Sequence, residues 1–179
     1  MNALEVKEAM LINKFVHGDS AQASCEDSNV LVKKTESSIN LMGKPTGVCQ
    51  VRFAIPIAVE PGAVKPKLES VKLRLRSDTS DVSITGAEIL TEDRETTSLR
   101  PLNLALYKKE LVVLDVPKDL IVKRSITVVI DLRFADNTST TSSIEIYGIE
   151  ISLLPPARTK SWLDSSFDMK PEFFQKALS

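Results

Sequence analysis

The stretch "VCQVRFAIPIAV" fixes the character of this chain. Cys49, Val51, Phe53, Ile55, Ile57 and Val59 all fall on odd positions, while Gln50 and Arg52 share the even ones. Successive side chains on a strand point to opposite faces, so a period of two buries one face and wets the other. The pattern returns in "SVKLRLRS", where Val71, Leu73 and Leu75 alternate with Lys72, Arg74 and Arg76. It returns again in "SITVVIDLRF", with Ile126, Val128, Ile130, Leu132 and Phe134 on one face. In "SSIEIYGIEISLL" the apolar phase slips, from Ile144 and Ile146 to Ile149, Ile151 and Leu153. One extra residue explains the slip, so a β-bulge is expected at Tyr147-Gly148. Pro56 lacks an amide donor and marks an edge or a strand end.

Weaker strands fit "NVLVKK", "SSINLM", "DVSITGAEIL", "LNLALY" and "ELVVLDV", separated by turn signals such as "MGKPTG", "VEPGAVKP" and "ADNTSTTSS". About nine or ten short strands in this arrangement predict an all-β chain, an antiparallel β-sandwich. Only the start, with Leu4, Met10, Leu11 and Phe15 at mixed spacing, also allows a helix. The long penultimate strand, the Ser/Thr-rich loop and the closing "IEIYGIEIS" resemble the last segment of galactose-binding-like jelly rolls. That resemblance implies a jelly-roll sandwich and carries no site residue with it.

The strand grammar ends at "LLPPAR", which divides the chain into a sandwich over 1–155 and an arm over 156–179. Pro171 suits a helix's first turn, so "PEFFQKAL" predicts a short C-terminal helix. Four of the nine aromatic residues, Trp162, Phe167, Phe173 and Phe174, lie in the last eighteen positions. So short a helix is not stable alone in water, so its apolar side must dock. The leading expectation is therefore a binding or assembly module that acts through protein–protein contacts. Its aromatic anchors would dock on its own sandwich, on a second subunit in a homo-oligomer, or on a protein partner. The Lys72, Arg74, Arg76 stripe is the second candidate partner surface.

The alternative expectation is a carbohydrate-binding, lectin-like jelly roll. Sugar sites use aromatic faces flanked by polar groups. Parity buries Phe53 and Phe134, leaving Tyr107 and Tyr147 as platforms.

No enzyme is expected. His17 lies in "FVHGDS", a polar turn after the first strand, and residues adjacent in sequence do not converge as a catalytic triad does. One histidine and two unclustered cysteines supply no zinc set. The carboxylates of "TEDRE", "SDTSD" and "ADN" could hold a structural calcium, although solvated loop charge accounts for them more simply. No cofactor and no metal are therefore expected.

Twenty-three basic against twenty-four acidic residues, a net charge of −1, give no overall attraction to nucleic acid or anionic membrane. The basic stripe has no exposed aromatic interleaved with it, so nucleic acid is not the expected partner. No apolar run approaches the roughly 18 residues of a spanning helix, and Glu5 and Glu8 interrupt the first apolar stretch. These features predict an intracellular chain in which Cys25 and Cys49 are free, partly buried thiols.

Overall fold

The computed structural model describes residues 11–25, 29–58, 64–77, 79–92, 96–99, 103–117, 119–135 and 142–155. Twelve strands run through these residues: β1 Ile12–His17, β2 Gln22–Cys25, β3 Val30–Lys34, β4 Ile39–Gly43, β5 Val48–Pro56, β6 Lys67–Ser77, β7 Val82–Thr91, β8 Thr96–Leu99, β9 Leu104–Ala105, β10 Leu111–Leu114, β11 Ser125–Phe134 and β12 Ser142–Leu154. They form two antiparallel sheets packed face to face, a jelly-roll β-sandwich. The front sheet has the order β10-β6-β12-β4-β3, with β1 also paired to β12. The back sheet has the order β2-β5-β11-β7-β8, with β9 also paired to β7.

The alternation read in the sequence sets the layers. Val51, Phe53 and Ile55 of β5 and Ile126, Val128, Ile130, Leu132 and Phe134 of β11 point into the sandwich. There they meet Leu73 and Leu75 of β6 and Ile144, Ile146, Ile149 and Ile151 of β12, all fully buried. At about 1.5–3 kcal/mol for each fully buried aliphatic or aromatic side chain, this inner layer is the main favourable term. Pro56 ends β5 opposite Ser125, and the Ile57 amide just beyond it donates to the Arg124 carbonyl.

The bulge falls where the phase slips. Leu75 faces Ile146 and Arg74 faces Gly148, leaving Tyr147 as the extra residue. Gly148 has φ +155°, a conformation that side chains rarely adopt. Downstream of the bulge β12 pairs with β1, and upstream with β4, so β1 and β4 lie end to end along one edge of β12.

Two expectations need correction. Residues 12–17 are a strand, so the helical option at the start fails for Leu11 to Phe15. The cysteines are not free: Cys25 and Cys49 form a disulfide, with Cα atoms 4.1 Å apart. They sit directly opposite each other on β2 and β5. The short polar run "QASC" gave no strand signal, so this pairing, which brings the thiols together, was hidden. The expected C-terminal helix and the four aromatics Trp162, Phe167, Phe173 and Phe174 lie outside the described residues, as does all of the arm over 156–179. Among the described residues no helix is long and apolar enough to cross a membrane.

Candidate functional site: the outer face of the front sheet

Directly opposed residues in a sheet share a face, so the pairing registers define what the front sheet shows to solvent. One row runs Val113, Lys72, Glu150, Phe15 across β10, β6, β12 and β1. The next runs Leu111, Arg74, Gly148, His17. A third runs Arg76, Glu145, Asn40, Lys33 across β6, β12, β4 and β3. From β10 to β1 is three strand spacings, about 14 Å.

At one end of this face lie two rings. Phe15 is 40% exposed and meets His17 edge-on, with centroids 4.9 Å apart. The ring rests on the bulge: a Cβ on Gly148 would come within 2.6 Å of Phe15 Cζ and would also strike the Val16 carbonyl oxygen. Glycine at 148 therefore clears the seat of the aromatic ring. The Arg74 guanidinium stands 5.9 Å from the Phe15 centroid, within cation–π range.

Glu150 anchors the cations. Its Oε2 accepts from Arg74 Nη2 at 3.0 Å and its Oε1 from Lys72 Nζ at 3.4 Å. The Arg74 hydrogen bond is the first cause, and the Lys72 bond and both charges add to it, of a carboxyl held below its ordinary value in spite of partial burial.

The other end is a hydroxyl relay. Tyr147 Oη donates to Glu145 Oε2 at 3.0 Å, and Ser38 Oγ donates to Glu145 Oε1 at 2.7 Å. Thr35 Oγ1 lies 2.7 Å from Ser38 Oγ. Burial first, and then the hydrogen bond and charge of Glu145, raise the Tyr147 phenol, while Arg76 acts in the opposite sense. Beside Glu145, the Asn40 Oδ1 is buried without a hydrogen-bond partner, an exception to the rule that buried acceptors are satisfied.

The structure thus brings Lys72, Arg74, Arg76 and Tyr147, expected to serve two different functions, onto one face. Tyr107 stands apart, on the turn after β9, with Lys108 Nζ 5.1 Å from its ring centroid. Phe15, His17, Asn40, Glu145 and Glu150 had not been identified from the sequence as part of a site. The outer face of the back sheet is also polar: Gln50 Nε2 donates to Asp131 Oδ1 at 3.0 Å and Arg52 Nε to Gln50 Oε1 at 2.8 Å. Its described strands carry no outward aromatic. Among the described residues no group of three or more His, Cys, Asp or Glu is placed to hold a metal.

No protein family matches the sequence, and no curated protein is significantly similar to it. Solved structures do match. One is TmCBM61 in complex with β-1,4-galactotriose, at TM-score 0.50 and 9% identity, covering 75% of this chain and 89% of that one. Another is the low-affinity xylan-binding module CBM86 from Roseburia intestinalis, at 0.48 and 10%, covering 79% and 96%. A third is a family 29 carbohydrate-binding module complexed with cellulohexaose, at 0.40 and 13%, covering 79% and 91%. At these identities the likeness establishes the fold. It also corrects the leading functional expectation. The match at TM-score 0.50 is a module bound to a galactotriose, which speaks for the alternative expectation and against the reading built on Trp162, Phe167, Phe173 and Phe174, residues that lie outside the described ones.

Proposed function

We propose that this chain is a non-catalytic carbohydrate-binding module, with the outer face of the front sheet as its glycan site and the sandwich through residue 155 as the binding unit. One observation carries the reading: on a single solvent-facing sheet, Phe15, His17 and Tyr147 stand among Glu145, Glu150, Arg74, Arg76 and Asn40. Sugar recognition needs an apolar ring against the sugar's C–H face and fixed donors and acceptors for its hydroxyls. The first comes from Phe15 and Tyr147, and the second from the relay and the Glu150 ion pairs. Their mutual hydrogen bonds fix the side chains before a ligand arrives, which lowers the ordering cost of binding. The jelly-roll fold shared with the galactotriose-bound TmCBM61 supports the reading. A disulfide is maintained in oxidising compartments, where extracellular polysaccharide is met.

The test is a polysaccharide panel read by affinity electrophoresis and calorimetry, with Phe15→Ala and Tyr147→Ala beside the parent chain. Retarded migration of the parent, lost in both variants while their unfolding curves stay cooperative, is the expected result. A parent that binds no glycan refutes the module reading. A parent whose binding survives both substitutions moves the site off this face.

A further inference from the structure

We propose that the glycan is anionic, a polyuronate whose carboxylates meet Arg74 and the cations around it; this rests on the reading of the front face as a glycan site. Across the three rows from Glu150 to Glu145 the face carries four cationic side chains, Lys72, Arg74, Arg76 and Lys33, against two carboxylates. The chain as a whole is slightly acidic, with net charge −1, so the basic excess is local.

The two carboxylates are also engaged. Both oxygens of Glu150 accept from cations, and both oxygens of Glu145 accept from hydroxyls. What an arriving ligand meets first is Arg74. The Glu150 side chain is 18% exposed, whereas that of Arg74 is 54% exposed. One carboxylate serves both Lys72 and Arg74, which leaves a positive charge over at that point. A guanidinium has five N–H donors in a planar fork that suits a carboxylate, and the contact to Glu150 runs through Nη2 alone. Because Arg74 also lies by the Phe15 ring, a sugar stacked on Phe15 would hold a ring carboxylate within its reach. Hydrogen bonds between ionised partners are about twice as strong as neutral ones, and such a contact weakens as salt shortens the screening length.

The test compares de-esterified polygalacturonate with its fully methyl-esterified form, which keeps the same backbone and removes the charge. Neutral galactan and dextran sulfate complete the set. At low ionic strength the charged form is expected to bind about tenfold tighter than the ester, and the advantage should shrink as NaCl rises from ~0.05 M to ~0.5 M. Arg74→Gln should bring the charged form toward the affinity of the ester, and Arg74→Lys should restore part of the salt dependence, with thermal unfolding confirming both folds. Equal binding of ester and acid, a preference for neutral galactan, or undiminished selectivity in Arg74→Gln overturns the charge proposal and leaves a glycan module standing. Tighter binding of dextran sulfate than of polygalacturonate replaces the uronate with a sulfate ester and overturns it too. Failure to bind any of the four polysaccharides in a chain that binds another glycan of the panel overturns the charge proposal alone, and failure on the whole panel removes both readings.

Discussion

Arg74 holds its guanidinium carbon 5.9 Å from the centroid of the Phe15 ring, joining an interior strand of the front sheet to the short strand at the chain's start. Phe15 is 40% exposed, so its ring is poorly used as core. Phe15→Ala should therefore change unfolding free energy by only about 1 kcal/mol, the sum of a partial burial term and a surface cation–π contact. Affinity for the polysaccharide the parent binds should fall about tenfold or more, and Phe15→Trp should retain it. Urea titration and calorimetry on the same samples separate the two effects. A large stability loss with unchanged affinity would make Phe15 a structural residue.

Gly148 makes that geometry possible, and the cost of replacing it should be split between two sources. A methyl at 148 strains the backbone at φ +155° and collides with the Val16 carbonyl and with Phe15 Cζ. Gly148→Ala should destabilise by roughly 2 kcal/mol or more. In a Phe15→Ala background only the ring collision disappears. The double variant should therefore recover part of the loss, and the cycle should show coupling between the two sites. Strictly additive effects would mean that the ring does not rest on the bulge.

The bulge itself was legible, because the inward phase changes between Ile146 and Ile149 and a glycine sits at the change. So were the buried faces of Phe53 and Phe134, and the shared face of Lys72, Arg74 and Arg76, since each lies within one strand of clear alternation. β2 and β8 were not. "QASC" and "TTSL" are short and largely polar, and their strand character comes from pairing with β5 and β7 rather than from their own residues. The proposed site was legible only in halves. Tyr147 and the basic stripe could be read, but Ile12, Phe15 and Val16 occupy both parities, which hides the outward direction of Phe15. Its partners Glu150 and Arg74 reach it through a pairing of β1 with β12 that joins opposite ends of the chain. The same applies to Asn40 and Glu145, placed opposite each other by β4 and β12.

The Glu150 ion pairs predict an acid-sensitive contribution to stability. Its carboxyl is held below the ordinary glutamate value of 4.5, chiefly by the Arg74 hydrogen bond. A group depressed in the folded state binds protons more readily when unfolded, so its contribution is complete above the ordinary value. It is lost as pH falls from there through the folded value. The stability difference between the parent and Glu150→Gln should accordingly be constant from neutral pH down to about pH 5 and should shrink below it. Denaturant unfolding across that range measures it. A difference that grows on acidification would contradict the paired arrangement.

The disulfide predicts a link between redox state and the front face. Cys25 and Cys49 are separated by 24 positions, and the loop they close contains β3 and β4, the strands that carry Lys33 and Asn40. Cross-linking a loop of this length stabilises by about 3 kcal/mol, mainly by restricting the unfolded chain. Protein prepared under oxidising conditions should show no titratable thiol even in denaturant, and two after reduction. Cys25→Ala with Cys49→Ala should lower the urea midpoint, and so should reduction of the parent. Because β2 remains paired to β5 through Gln22, Ala23 and Ser24, the fold should survive either change at neutral pH. Polysaccharide affinity should then fall only modestly, through a looser β3–β4 hairpin beside Glu145. Two thiols found in the oxidised preparation would refute the bond. An unchanged midpoint after reduction would show that pairing of β2 with β5 already supplies the constraint.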